Sequence, residues 1–385
     1  MIRHVIRSHA DPKARRPMPL MLQYILTALG VPVLIWAAWS TARLARANRK
    51  GTAGIHIAAY VLLSREELDP TRGGPPEPEV ADAVRAVRAG DWRPGAALLA
   101  AAGQDWDLRW HRLSALASAA AQDERWLSDW RAERPDDPDA AAVYAEALLY
   151  RAWDARGEGW AKDTPAERMT RFQQMLPASL HAAQAAATLA PDDPSPWVTM
   201  VTAARGLALP HEEFRRLWGE LTARAPHHFY GHLSALQYWC AKWCGSDRLA
   251  NRFAQEAAAS APPQSLLSVL PLEAAFERAL QGPGPVPLAG RHTRSELDAV
   301  RAALAAAPAG DPRAPLVRHR LAAALTLAGK GSEALDHFRL LEPFVGAEPW
   351  TYHPNPVAAY DRARALAILR SGKRAVAAGQ PVGRR

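Results

Sequence analysis

The dominant pattern of this chain is the recurrence of apolar residues at helical spacing, with few stretches that alternate as a β-strand does. Long segments combine Ala and Leu with Arg and Glu, which are strong helix formers, and β-branched residues are few. Clusters with proline or glycine separate these segments, as expected where helices end. The pattern predicts an all-α protein. Its 385 residues are more than one compact domain usually holds unless the fold is built of repeats.

One apolar run differs from these amphipathic segments. Residues 20–42 carry no charged side chain. A helix of about 23 residues reaches roughly 35 Å, enough to cross a hydrocarbon core of about 30 Å. Trp36 and Trp39 lie near one end of the run, where interfacial aromatic residues belong. We expect an uncleaved transmembrane anchor here, and the alternatives are a buried soluble helix and a cleaved signal peptide.

Basic residues flank the predicted anchor on both sides, so the positive-inside rule is nearly balanced. Translation from Met18 or Met21 instead of Met1 would remove the upstream basic arm and leave the downstream cluster. This favours a single-pass protein of the cell membrane with a short exterior N-terminus and a cytoplasmic body.

Composition divides the chain into five segments. A basic arm occupies residues 1–19, the anchor 20–42, and a juxtamembrane segment with a Pro/Gly-rich linker 43–79. A helical repeat domain is expected over 80–371, followed by a basic disordered tail over 372–385.

The net charge of +8 resides at the two ends of the chain. Residues 1–50 hold nine basic side chains against one acidic one, residues 361–385 hold seven against one, and residues 51–360 are net −6. A nucleic-acid-binding domain concentrates basic charge on its folded surface. We therefore expect no nucleic-acid partner for the body. The basic tail fits contact with anionic lipid or simple disorder better than nucleic-acid binding.

Prolines recur after predicted helices along the body. Those at 135, 191, 226, 262, 308 and 343 are separated by 56, 35, 36, 46 and 35 residues. Three of these spacings lie close to the roughly 34 residues of a tetratricopeptide unit. The blocks between the prolines predict helix pairs at 196–207 with 211–225, 228–244 with 246–260, and 313–328 with 332–341.

The best single unit is 315–348. It has small residues at Ala322, Gly329 and Ala334 and an aromatic residue at Phe338, where a tetratricopeptide unit has them. Small residues let two helices approach closely, and Phe338 is expected to fill the seam between them. Over roughly 80–345 the chain therefore resembles degenerate tetratricopeptide-like proteins.

That resemblance implies an α-α solenoid of antiparallel helix pairs whose concave face binds a protein or peptide. The segments "WVTMVTAARGL" and "ALQYWCAKWCGS" also resemble an uncharacterised family of GC-rich bacterial proteins that carry a domain of unknown function. This second resemblance implies no activity.

The segment 228–244 holds the candidate metal or thiol chemistry. His228, His232, Cys240 and Cys244 lie on one i+4 row of the predicted helix, and each pair has a spacing that can hold a metal. Eight residues, about 12 Å along a helix, separate the second histidine from the first cysteine, so one zinc ion cannot take all four ligands.

A helical wheel places both cysteines in the middle of an apolar arc, with Ser234, Gln237, Tyr238 and Lys242 on the other side. Free cysteine in such a place behaves as a small hydrophobe. We expect a structural core helix that ends at Gly245, with Ser246 as the N-cap of the next helix. A metal- or thiol-dependent site with a nearby histidine is the alternative.

The segment 156–172 is the main insertion in the repeat, next to a flexible Gly-x-Gly. It is a candidate interaction loop, and the alternative is a solvated connection between helices. The candidate residues are Arg156, Glu158, Trp160, Lys162 and Asp163.

Three tryptophan pairs at i,i+4 spacing are expected to pack between repeats, with a ligand platform as the alternative. They are Trp106 with Trp110, Trp126 with Trp130, and Trp239 with Trp243. The chain contains no G-x-S-x-G, phosphate-loop or dinucleotide fingerprint. We therefore expect no catalytic residue and no cofactor. The sequence favours a membrane-anchored scaffold for protein–protein interaction.

Overall fold

The computed structural model describes residues 49–157, 164–280 and 291–371. These residues form fifteen α-helices and a single isolated β-bridge between Asp69 and Phe344, which confirms the predicted all-α class. The predicted anchor over 20–42, the basic arm and the tail lie outside the described residues. None of the helices in the described part of the chain has the length and apolar character needed to cross a membrane.

The α-helices are numbered in chain order. They are α1 (Pro78–Arg88), α2 (Arg93–Ala100), α3 (Trp106–Gln122), α4 (Arg125–Glu133), α5 (Pro138–Arg156), α6 (Ala166–Leu189), α7 (Ser195–Gly206), α8 (His211–Arg224), α9 (Phe229–Trp239), α10 (Asp247–Ser260), α11 (Leu270–Leu280), α12 (Arg291–Ala306), α13 (Arg313–Leu327), α14 (Gly331–Leu341) and α15 (Pro356–Ser371). Short 3₁₀ turns occupy Ile57–Tyr60, Arg65–Glu67, Leu266–Val269 and Trp350–Tyr352.

Neighbouring helices pack in sequential pairs along the chain. In addition, each odd-numbered helix contacts the next odd-numbered helix, from α1 through to α15. We call this contiguous layer of odd-numbered helices the odd row.

Two of the three predicted helix pairs are confirmed to within a residue or two, namely α7 with α8 and α13 with α14. The N-cap predicted at Ser246 is also confirmed, because its side chain accepts a hydrogen bond from the amide of Leu249. The cap at Ser246 was predictable because capping is a local interaction, and three of the four confirmed helices, α7, α8 and α13, begin directly after a proline.

The helix predicted over 228–244 is too long: α9 ends at Trp239. Cys240 has extended backbone, and the amides of Cys244 and Ser246 turn back to donate to the carbonyls of Tyr238 and Trp239. A Cβ on Gly245 would lie 1.9 Å from the carbonyl oxygen of Trp239, so this turn requires glycine. The expectation that Cys240 and Cys244 share one helical row is therefore wrong.

The polar side expected for this helix is also wrong at Tyr238, which is fully buried. Its ring stacks on Phe214 of α8 with 3.5 Å between centroids, and its hydroxyl donates to the carbonyl of Leu209 at 2.6 Å. Helix α9 is covered from more than one side, so a wheel with a single apolar arc does not describe it.

The unit 315–348 behaves as expected at three of its four positions. Ala322, Ala334 and Phe338 are fully buried, and the Phe338 ring packs against Tyr360 of α15. Gly329 has another role, because it lies in the turn after α13 with φ of +80° and has no atom within 4 Å of a Cβ position. Glycine is favoured at this position by the backbone conformation of the turn and not by close packing of helices.

The segment before α1 packs on the last helices of the chain. Thr52 donates to Asp361 at 2.6 Å, and the amide of Leu63 donates to Glu342 at 2.7 Å. The fully buried Arg364 joins both carboxylates at 2.6 and 2.7 Å. The described start and end of the chain are thereby fastened together.

Candidate functional site

A line of polar contacts follows the odd row from helix to helix. Each contact joins side chains of two successive odd-numbered helices, from α3 to α13. We call the ten residues the polar seam: Ser114 with Tyr150 (2.5 Å), Thr199 with Glu146 (2.7 Å), Thr202 with Ser234 (2.6 Å), Gln237 with Glu277 (2.7 Å) and Arg320 with Glu273 (2.5 Å).

The seam is recessed, and its titratable groups show the effect of burial. Glu146 is buried, and burial raises the pKa of its carboxyl to about 7 against the opposing hydrogen bond from Thr199. Burial likewise raises the pKa of the Tyr150 hydroxyl. Shifted ionisable groups that share one face are typical of functional sites, although structural networks also produce them.

Charge accumulates at one end of the seam. The buried carboxylate of Glu277 accepts from the Tyr352 hydroxyl at 2.8 Å and pairs with Lys242 at 2.6 Å. One turn earlier on α11, Glu273 pairs with Arg320, which also bonds Glu348. Every charged group named here therefore has a partner of opposite charge or a hydrogen-bond donor.

Beside the seam, the C-terminal ends of α5, α7 and α9 bring together four residues that we call the Trp–Arg corner. Trp153 and Trp243 meet edge to face, with ring centroids 5.6 Å apart. The guanidinium carbon of Arg205 lies 4.8 and 5.3 Å from the centroids of these rings, and that of Arg156 lies 5.6 Å from each. These are cation–π distances.

Sequence reasoning noticed two members of the corner in other contexts and missed the other two. The sequence places Arg156 in the candidate interaction loop and Trp243 in the segment that contains the two cysteines. Arg205 was missed, as was Trp153. A usable signal was the i,i+3 spacing of Trp153 and Arg156, which puts an indole and a guanidinium on one helix face.

Arg156 does not point freely into solvent, because its side chain is 8% exposed and donates to the carbonyl of Gly157 at 3.0 Å. The other candidate loop residues, Glu158, Trp160, Lys162 and Asp163, lie outside the described residues.

The two cysteines are free thiols in protected positions. Cys240 is buried and donates to the carbonyl of Leu236 at 3.3 Å, and burial raises the pKa of its thiol to about 12. Cys244 is half-buried, and burial raises its thiol pKa as well. Both shifts lower the thiolate population on which metal binding and nucleophilic attack depend.

The two histidines lie at the opposite end of α9 from the cysteines. His228 is the N-cap and accepts from the amide of Gly231 at 3.1 Å. His232 donates from Nδ1 to the carbonyl of His228 at 2.9 Å, and burial lowers its pKa to about 4. The residues described by the structure contain no group of three or more His, Cys, Asp or Glu side chains that could hold a metal ion.

Comparison with protein-family models, with curated proteins and with solved structures found no match. The described residues form an all-α protein of about fifteen helices that pack in sequential pairs.

Proposed function

We propose that this protein is a membrane-anchored, tetratricopeptide-like scaffold that binds a segment of a partner protein along its odd row and carries out no catalysis. The polar seam supports this most directly. Each seam residue is hydrogen-bonded, yet a layer packed for stability alone would do as well or better with apolar side chains of similar volume, because pairing only roughly offsets the cost of burying polar and charged groups.

The packing of the helices supports the solenoid part of the proposal. Successive odd-numbered helices contact one another all along the row, whereas contacts between successive even-numbered helices are weaker. Because a stack whose one layer is more closely spaced curves toward that layer, we take the odd row as the concave side of the proposed solenoid. Solenoid proteins generally bind their partners on the concave side.

Several residues of the polar seam are accessible to a bound chain on the concave side. Thr202, Ser234 and Gln237 are half-buried, so each can exchange its present partner for a group on a bound chain. A row of such groups suits the peptide bonds of an extended segment, which offer one donor and one acceptor per residue.

The anchor in this proposal is the segment 20–42, with the helical domain on the cytoplasmic side. Its support is the charge-free run of about 23 residues with tryptophans near one end. Fractionation of cells expressing the full chain and a version lacking residues 1–50 tests it. The shorter protein should leave the membrane fraction, and its retention there would refute the anchor.

Proximity labelling of the full-length protein in its native membrane tests the binding role. The test variant is Ser234→Ala with Gln237→Ala on the odd row. The control is Thr222→Ala on α8, whose hydroxyl donates to its own helix at 3.0 Å. Proteins labelled by the wild type and the control should be lost with the test variant, provided that circular dichroism shows it folded. If the folded test variant labels the same proteins to the same level, the odd row is not the binding surface.

A further inference from the structure

The Trp–Arg corner contains three N–H groups that have no hydrogen-bond partner in the described part of the chain. They are Nε of Arg156, Nε of Arg205 and Nε1 of Trp153, and all three atoms are shielded from solvent. A buried donor without an acceptor is costly, so such groups are rare in folded proteins unless something fills them.

Neither arginine of the corner forms an ion pair with a described residue, and burial lowers the pKa of both, that of Arg205 to about 10. Glu348 and Glu277 favour the charged form of Arg205 only from a distance. The contrast lies in the carboxylates. Three other buried arginines are each held by two of them, including Arg364, whose Nε is also unpaired: Arg109 by Asp139 and Asp193, Arg320 by Glu273 and Glu348, and Arg364 by Glu342 and Asp361.

We propose that the Trp–Arg corner binds the phosphate monoester group of a ligand. Two guanidinium groups that lie against the same pair of rings are best matched by an anion that can serve both. A carboxylate has two oxygens in one plane and typically pairs with a single guanidinium. A phosphate monoester has three terminal oxygens in a pyramidal arrangement and close to two negative charges at neutral pH. It therefore matches the charge and the number of donors of the corner.

The ends of the helices do not remove the need for such a ligand. The C-terminal ends of α5 and α7 favour nearby cations and offset part of the charge of Arg156 and Arg205. The carbonyl of Gly157 takes one N–H of Arg156, yet the three N–H groups named above stay unpaired. Trp153, Trp243 and Arg205 are each partly exposed, so a small displacement of these side chains would open the shielded N–H groups to a ligand.

This inference stands on a different observation from the proposed scaffold function, and its test needs no protein partner. The probe is inorganic phosphate, titrated into the full-length protein in maltoside micelles at constant ionic strength. Tryptophan fluorescence and calorimetry are the readouts, since two indoles line the site. We expect saturable binding that acetate and chloride do not reproduce. Binding should weaken as the pH falls through neutrality, because inorganic phosphate then passes from its dianion to its monoanion.

Two substitutions locate the site. Arg205→Gln should weaken phosphate binding by about tenfold or more, because a charge-assisted partner is lost. The matched control is Arg224→Gln on α8. Arg224 also stacks on a tryptophan, 4.6 Å from the Trp197 ring, but it is paired with Glu220. The control should bind phosphate as the wild type does.

Separate titrations with blocked O-phosphoserine and with glycerol 3-phosphate distinguish a phosphorylated side chain from a small phosphate ester. Binding of either that depends on Arg205 supports the proposal. If Arg205→Gln does not fold, the melting temperature of the wild type decides, and phosphate should raise it more than acetate at equal ionic strength.

Three results would overturn the proposal. One is phosphate binding no tighter than that of acetate. Another is equal phosphate affinity in Arg205→Gln and the wild type. The third is phosphate binding that appears only after Glu158→Gln and Asp163→Asn are introduced together, which would mean that the chain's own carboxylates occupy the corner.

Discussion

Asp107, in the first turn of α3, accepts a 2.8 Å hydrogen bond from the backbone amide of Phe229, which is 122 residues further along the chain. The other oxygen of the same carboxylate accepts from Arg313 at the start of α13. One side chain thus satisfies a free amide at the start of α9 and joins three helices of the odd row.

Replacing Asp107 by alanine should lower the free energy of unfolding by roughly 2 kcal/mol, because it leaves the Phe229 amide without its acceptor and removes one of the two carboxylates that hold Arg313, the other being Asp311. Urea denaturation measures the effect. The matched control is Asp82→Ala, whose carboxylate is 68% exposed and bonds Arg85 on its own helix. The control should change stability by less than about 0.5 kcal/mol. Equal losses in both variants would mean that Asp107 does not fasten the three helices.

Two glycine-to-alanine substitutions should have opposite signs. Gly245→Ala should destabilise the fold by about 2 kcal/mol or more, since its Cβ would meet the carbonyl of Trp239 at 1.9 Å. Gly219→Ala should stabilise it by about 0.5–1 kcal/mol, because this glycine lies inside α8 with open space around it. Thermal melting of both variants checks the pair. A melting temperature of Gly245→Ala equal to or above that of the wild type would contradict the turn at Gly245, and a lower one for Gly219→Ala would contradict the open space around that residue.

The stability of the protein should depend on pH through Glu146. Its folded pKa of about 7 lies above the ordinary value of 4.5. The contribution of the Glu146 carboxyl to the free energy of unfolding is therefore fully present below pH 4.5 and is lost as the pH rises through 7. Glu146→Gln keeps an acceptor for Thr199 and has no charge to bury. At about pH 8 it should be more stable than the wild type by roughly 3 kcal/mol, and the difference should fade toward acid.

Urea denaturation of Glu146→Gln and the wild type across this pH range provides the measurement. A difference between the two proteins that does not change with pH would show that Glu146 titrates normally in the folded state. Thr199→Val offers an independent check. Loss of its hydroxyl should raise the pKa of Glu146 further, so stability should be lost at a higher pH than in the wild type.

The thiols should resist alkylation while the protein is folded. Iodoacetamide at about pH 8 reacts with thiolate, which is scarce at Cys240 because burial raises its pKa to about 12. Peptide mass spectrometry should find Cys240 unlabelled in native protein, Cys244 labelled slowly, and both labelled fast in urea. Rapid native labelling of Cys240, or stoichiometric zinc in the purified protein, would favour the thiol or metal site over a packing role.

Some features of this fold follow from short stretches of sequence, and others depend on contacts between helices. Helices α7, α8, α13 and α14 were predictable because proline and apolar periodicity act within a few residues. The early end of α9 was not, because the turn that follows it is also held from another helix, by the ring of His211 on α8, which bonds the carbonyl of Cys244 at 2.7 Å. The burial of Tyr238 was missed for a similar reason, since its cover comes from Phe214 on another helix.

The Trp–Arg corner shows the same division at a candidate site. The sequence alone could show that the indole of Trp153 and the guanidinium of Arg156 are neighbours on one helix. That Arg205 and Trp243 join them depends on how α5, α7 and the turn after α9 pack, which no local pattern encodes.

Local sequence was thus sufficient for the all-α class, the sequential helix pairs and the charge-free segment 20–42, because helix propensity and periodicity are properties of short windows. Folding was needed to decide which side chains meet. The polar seam joins helices some 30 to 50 residues apart, Asp107 reaches across 122, and Thr52 meets Asp361 across 309. Such contacts arise from packing, whose partners are chosen by shape and burial over the whole chain.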